Sequence, residues 1–85
     1  MVKLDIFVVD DCWSCEEAHR LAAEARVRFA AEVEVTLHDL EQDPHPPKVF
    51  AAPTYLLDGH VISLGNPRPE ELWVRLAQHV RESRI

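Results

Sequence analysis

The sequence predicts an α/β fold with the element order β-α-β-(loop or short helix)-β-β-α and a four-stranded mixed sheet. A β-rich apolar run at residues 4–9, a helical segment at 16–31 and an alternating segment at 33–38 form a βαβ unit. The strands of such a unit are parallel and its crossover is right-handed. Later, Asp58-Gly59 separates two short apolar runs as in a β-hairpin, and an amphipathic segment follows.

The first strand is expected at residues 3–9, in the centre of the sheet, because apolar side chains fall on both of its faces. The next helix is predicted from the spacing of one apolar stripe: Ala18, Leu21, Ala22, Ala25, Phe29 and Ala30. Residues 33–38 alternate with period two, which predicts a strand with one buried face.

Residues 39–53 interrupt this regular pattern. Pro44, Pro46 and Pro47 leave room for a helix of only about one turn after Pro47. Strands are then predicted at 55–57 and 60–64. Asn66 is expected to cap the last helix, with Pro67 at its first position.

Composition limits the function classes. The 85 residues predict one domain, residues 1–85, and the hydrophobic fraction of 47% is typical of a globular chain. A formal net charge of −6 argues against nucleic acid and anionic membranes as partners, since both attract basic patches. No segment has the length of a membrane span or the pattern of a signal peptide. Two closely spaced cysteines would close only a very short loop, so they cannot provide the disulfide framework of a small secreted fold. We therefore expect a cytoplasmic protein.

The only two cysteines lie in the motif Cys12-Trp13-Ser14-Cys15, where the first strand meets the helix. A C-x-x-C pair in this position indicates a thiol–disulfide redox site, because a helix N-terminus stabilises a thiolate. Two alternatives remain open. The cysteines could be small buried hydrophobes or an incidental disulfide, and with His19 they form a C-x-x-C-x-x-x-H pattern of three metal ligands, for which no fourth ligand is evident.

The C-x-x-C motif after the first strand, together with Ala52-Pro53-Thr54 before a hairpin and a terminal helix, resembles the thioredoxin-like superfamily. The resemblance covers essentially the whole chain, at the length typical of glutaredoxin-type members. It implies that Cys12 is the nucleophile, that Cys15 is the resolving thiol, and that the two form a disulfide during the cycle.

The resemblance also implies a substrate-binding surface. Trp13 and Ser14 occupy the positions that tune the redox potential, and Trp13 either packs against substrate or folds back onto its own domain. Pro53 matches the cis-proline opposite the motif, which would let the Ala52 backbone pair with an extended substrate; the alternative is a trans-proline that starts an edge strand.

Gly65 and Asn66 fall where glutaredoxins place part of their glutathione site. From the residues alone, a turn and a helix cap are the simpler roles for this pair.

Acidic residues flank the motif: Asp10 and Asp11 precede it, and Glu16 and Glu17 follow it. Carboxylates disfavour a neighbouring thiolate, so we expect Cys12 to be only modestly acidic.

These observations predict a small thiol–disulfide oxidoreductase that reduces protein disulfides, with a reductase or glutathione as electron donor and no resident cofactor or metal. The alternatives are a glutathione-dependent glutaredoxin-like protein, a metal-binding module that uses the cysteine pair, and a redox-inactive interaction domain. The proline-rich segment predicts a thinly covered sheet face, with Phe50 and residues 44–49 at its edge, that serves homodimerisation or partner docking.

Overall fold

A computed structural model describes residues 1–10 and 12–84, so Asp11 and Ile85 lie outside the described part. Its elements, in chain order, are β1 (Val2–Val8), α1 (Trp13–Arg28), β2 (Val33–Asp39), β3 (Thr54–Leu57), β4 (His60–Leu64) and α2 (Pro69–Ser83). The sheet has the strand order β2-β1-β3-β4, with β1 and β2 parallel and the other neighbours antiparallel. The predicted α/β class and four-stranded mixed sheet are confirmed.

The main core lies between the sheet and its two helices. Alternate residues of β1, such as Leu4 and Ile6, point into this core because successive side chains of a strand face opposite ways. Both helices contribute buried apolar residues to the same cluster: Cys15, Ala18, Leu21, Ala22 and Ala25 from α1, and Leu72, Leu76 and Val80 from α2. Neither helix in the described part of the chain is long and apolar enough to cross a membrane.

Among the described residues, no helix covers the opposite face of the sheet, because residues 40–53 form turns and irregular chain. Val49 of this segment is fully buried against Phe7 and Leu56. The Lys48 ammonium donates a hydrogen bond to the Gly59 carbonyl and so ties the segment to the hairpin. The 40–53 segment therefore covers part of the sheet face that was predicted to be thinly covered.

The edge of this face remains apolar and accessible, since the Phe50 side chain is 74% exposed. Homodimerisation or docking through it stays a prediction.

The first helix begins at the cysteine motif, as predicted. Its first residue is Trp13, because Cys12, in an extended conformation, takes the N-cap position and its carbonyl accepts the Cys15 N–H at 3.0 Å. The predicted cap of the second helix is wrong. Arg68 is the N-cap residue and Pro69 opens the helix, while the Asn66 side chain is engaged in other hydrogen bonds.

The hairpin turn makes a testable electrostatic contact at the end of the sheet remote from the motif. The Asp58 carboxylate accepts the Lys3 backbone N–H at 2.8 Å and lies 2.7 Å from the His79 ring. The Lys3 hydrogen bond first, and His79 second, hold the pKa of Asp58 below its usual value. A lowered carboxyl pKa in the folded state stabilises the fold above about pH 4, and this contribution is lost as the pH falls through the folded value.

We therefore expect Asp58→Asn to destabilise the protein at pH 7 by at most about 1 kcal/mol, because the carboxylate is 38% exposed and water screens its charge. Asparagine tolerates the positive φ of 47° at this position. The difference from wild type should shrink as the pH falls below about 4 in urea-unfolding experiments. Glu82→Gln, which removes a surface charge from α2, is the control. A difference that is independent of pH would contradict the electrostatic explanation.

Candidate redox site

The cysteine motif lies where β1 ends and α1 begins. Cys12 is the N-cap residue of α1 and Cys15 lies in its first turn, with 5.1 Å between their Cα atoms. The two sulfurs are joined in a disulfide. The pair therefore sits at the positive end of the helix dipole, where backbone N–H groups favour a thiolate.

The two cysteines differ in their access to solvent. Cys15 is 2% exposed and belongs to the main core, whereas Cys12 is only half-buried. The Cys12 Sγ lies 3.3 Å from the Ser14 Oγ, within the distance of a hydrogen bond to sulfur. An incoming substrate can reach Cys12 more readily than Cys15, which is the asymmetry that an attacking and a resolving thiol need.

Trp13 projects from the motif into solvent with 86% of its surface exposed. The alternative in which it folds back onto its own domain is therefore wrong. Its ring lines two depressions. One, of about 440 Å³, also contains Cys12 and His19, and the other, of about 570 Å³, contains Arg20 and Asn66. A large apolar surface thus stands directly beside the accessible sulfur.

Pro53 is buried at the start of β3, and the Ala52–Pro53 peptide bond is cis. β3 lies between β1 and β4, so the alternative of a proline that starts an edge strand is wrong. Among the described residues, no backbone–backbone hydrogen bond involves Ala52. Its side chain packs against the main core, which includes Cys15 and against which Cys12 also packs.

Gly65 forms the turn after β4 in a left-handed conformation, with φ at 90°. A Cβ atom there would meet nothing within 4 Å, so the need for glycine is conformational. The Gly65 N–H donates to the Pro53 carbonyl at 2.8 Å, and this bond holds the turn beside the start of β3.

Asn66 connects this turn to the cysteine motif. Its Nδ2 donates to the Ser14 carbonyl at 2.7 Å, and its Oδ1 accepts the Tyr55 hydroxyl at 2.8 Å. Burial first, and the negative charge of Glu17 second, raise the pKa of Tyr55, so its hydroxyl remains a proton donor. The structure thus joins three separate segments of the chain: the motif, the Pro53 region and the turn at Gly65 and Asn66.

Sequence reasoning did not assign a role to Tyr55 beyond the strand. A tyrosine on the core face of a strand needs a hydrogen-bond partner for its hydroxyl. Asn66 lies two residues beyond the end of β4, the strand that pairs with β3, and its amide was therefore a candidate partner for this hydroxyl. The need of a buried tyrosine for a hydrogen-bond partner was the sequence signal that could have identified the contact.

The acidic side chains around the motif differ in whether a basic side chain pairs with them. Arg20 binds Glu17 through two hydrogen bonds of 2.7 Å, and this contact lowers the pKa of the Glu17 carboxyl. Asp10 and Glu16 line the cleft that contains both cysteines. These two carboxylates oppose a thiolate at Cys12; the predicted contribution of Asp11 lies outside the described residues.

His19 lines the same cleft as the cysteines, on the exposed side of α1. Within residues 1–10 and 12–84, no group of three or more histidine, cysteine or acidic side chains is arranged to hold a metal ion.

The fold resembles that of a solved thioredoxin. The crystal structure of the oxidised form of mitochondrial thioredoxin 3 from Saccharomyces cerevisiae superimposes with a TM-score of 0.71 and 21% sequence identity, over 91% of this chain and 77% of that one. No family model and no curated protein matches the sequence. The likeness shows that the chain has the thioredoxin-like fold, which confirms the fold expected from the motif and the order of the elements.

Proposed function

We propose that this chain, a thioredoxin-like fold with a C-x-x-C disulfide at a helix N-terminus, is a thiol–disulfide oxidoreductase that reduces disulfides in proteins. The observation that carries the proposal is the unequal burial of the two bonded cysteines, with Cys12 half-buried and Cys15 2% exposed. The fold and the motif support thiol–disulfide chemistry in general, and this asymmetry supports a division of labour between the cysteines.

In the proposed cycle, the Cys12 thiolate attacks one sulfur of a substrate disulfide. The new bond is a mixed disulfide, and the other substrate sulfur leaves as a thiolate that takes up a proton. Cys15 then loses its proton and attacks the Cys12 sulfur, which releases the second substrate thiolate and forms the Cys12–Cys15 disulfide. Two electrons have passed to the substrate, and an external dithiol or two glutathione molecules must return the chain to its reduced state.

Protein substrates are favoured by the surface beside Cys12. Trp13 offers an exposed aromatic ring. The backbone groups of Ala52 make no backbone–backbone hydrogen bond within residues 1–10 and 12–84, and they suit an extended segment that adds as a short strand. Asp10 and Glu16 make the cleft unfavourable for anionic glutathione. Asn66 uses its amide in internal hydrogen bonds, which leaves Gly65 as the more available part of the predicted glutathione site. A protein reductase is therefore the electron donor that we propose.

Reduction of insulin tests the proposal. With dithiothreitol as electron donor, micromolar wild-type protein should accelerate the precipitation of the insulin B chain well above the rate with dithiothreitol alone. A rate equal to that of the uncatalysed reaction would reject the oxidoreductase. Replacing dithiothreitol by a thioredoxin reductase with NADPH, or by glutathione with glutathione reductase, then separates the proposed donor from the glutaredoxin-like alternative.

The same preparation tests the metal-binding alternative. Titration of the reduced protein with Zn²⁺ should give no stoichiometric binding at micromolar concentration if the cysteines serve redox chemistry alone. A cytoplasmic location, where the pair would be kept reduced, fits the proposed direction of the reaction.

A further inference from the structure

The side chain of Asn66 lies between the buried core and the first turn of the cysteine helix. One end of its amide contacts the hydroxyl of Tyr55, which is fully buried, and the other end contacts the Ser14 carbonyl. Ser14 is also the residue whose hydroxyl oxygen lies 3.3 Å from the Cys12 sulfur. A continuous series of contacts therefore runs from the core through Asn66 and Ser14 to the accessible cysteine.

The chemistry of the partners determines the orientation of this amide. A carbonyl oxygen only accepts hydrogen bonds, so the group that faces Ser14 must be the NH₂ of Asn66. Its oxygen then faces Tyr55, whose hydroxyl donates. Each end of the amide thus has a complementary partner, and rotation by 180° would place an oxygen against the Ser14 carbonyl and an NH₂ against the phenol.

We propose that Asn66 is a positioning residue of the redox site, which holds Ser14 so that its hydroxyl donates a hydrogen bond to the Cys12 thiolate in the reduced protein. The positioning role itself does not depend on the proposed function; only its benefit to catalysis rests on that function. A thiolate accepts such a bond well, whereas a disulfide sulfur is a weak acceptor. Asn66 therefore stabilises the reduced, ionised form of the site more than the oxidised form.

The direction of the effect follows. Without Asn66, the Ser14 hydroxyl is no longer held against Cys12, and the thiolate loses a donor. Cys12 should then ionise at higher pH, react more slowly with iodoacetamide at pH 7, and favour the disulfide in a glutathione redox buffer. One hydrogen bond to a charged group corresponds to an effect of about tenfold.

The test measures the pH profile of Cys12 alkylation and the equilibrium with glutathione, neither of which needs catalytic turnover. Asn66→Ala should slow alkylation at pH 7 by about three- to tenfold and shift the equilibrium towards the disulfide by a similar factor. Ser14→Ala should have the same effect, and the double variant should add little to either single one, because both remove the same interaction.

Ser63→Ala is the matched control. The Ser63 hydroxyl donates to the Gly65 carbonyl at 2.7 Å in the same turn, so its loss weakens the turn without removing a contact to the motif. It should leave the alkylation profile within about twofold of wild type. If Asn66→Ala lowers the thermal stability but leaves the profile unchanged, or if Ser63→Ala shifts it equally, the positioning role is overturned.

Asn66→Leu covers the case in which Asn66→Ala does not fold, because leucine has a similar volume and lacks the donor for Ser14 without adding a charge near Cys12. Its alkylation should also be slowed, and a profile like that of wild type would overturn the proposal. The two proposals fail separately. Wild-type protein that does not reduce insulin rejects the oxidoreductase, whereas unaltered Cys12 chemistry in the Asn66 variants rejects the positioning role.

Discussion

Cys15→Ser is expected to accumulate a mixed disulfide with its substrate, while Cys12→Ser forms none. In the first variant the accessible Cys12 still attacks, but the buried thiol that would resolve the intermediate is missing. In the second, the proposed nucleophile is absent and Cys15, at 2% exposure, is shielded from the substrate. Both variants should lose insulin reduction to the rate of dithiothreitol alone.

Non-reducing electrophoresis and intact-mass spectrometry of each variant with a disulfide-containing protein check this result. The two single variants are controls for each other, because each retains one sulfur in the same motif. Trapping by Cys12→Ser, and not by Cys15→Ser, would reverse the assigned roles. Equal trapping by both would show that burial in the oxidised structure does not govern access.

The second large effect concerns the helix that follows the site. Leu76→Ala is expected to lower the free energy of unfolding by about 2–5 kcal/mol, since Leu76 is fully buried between α2 and the sheet and its truncation leaves a cavity. A domain of this size is stabilised by only about 5–15 kcal/mol, so a substantial fraction of its stability would be lost.

Urea unfolding followed by circular dichroism measures the change, and Val74→Ala is the matched control. Val74 lies on the same helix with 66% of its surface exposed, so its truncation should change the stability by less than about 0.5 kcal/mol. Comparable losses in the two variants would mean that α2 does not dock on the sheet through Leu76.

Much of the fold was predictable because its signals are local. A strand is predictable from apolar residues that alternate with a period of two. The hairpin is predictable from Asp58-Gly59, whose positive φ angles of 47° and 86° allow a tight turn. The order of the elements then limits the topology, since the βαβ unit requires parallel strands. The C-x-x-C motif is likewise a local signal, because the spacing of its cysteines and their position at a helix start together indicate redox chemistry.

The start of the last helix shows where local signals fail. Asn66-Pro67 and Arg68-Pro69 both place a proline where a helix can begin, and asparagine is by far the better N-cap residue. The structure nevertheless begins the helix at Pro69. Asn66 makes two hydrogen bonds to distant residues, at 2.7 and 2.8 Å, and these occupy the polar groups that a cap would use.

The sequence by itself determined the class of fold, the pairing of the hairpin and the place of the two bonded cysteines at a helix start, because each depends on residues close together in the chain. Only the tertiary structure decided which sulfur is accessible, that the loop at Val49 packs the helix-free face, and that Asn66 joins the core to the motif. Burial and long-range hydrogen bonds depend on which segments meet in space. Ser14 and Asn66 are 52 positions apart, and no local pattern specifies that their groups will meet.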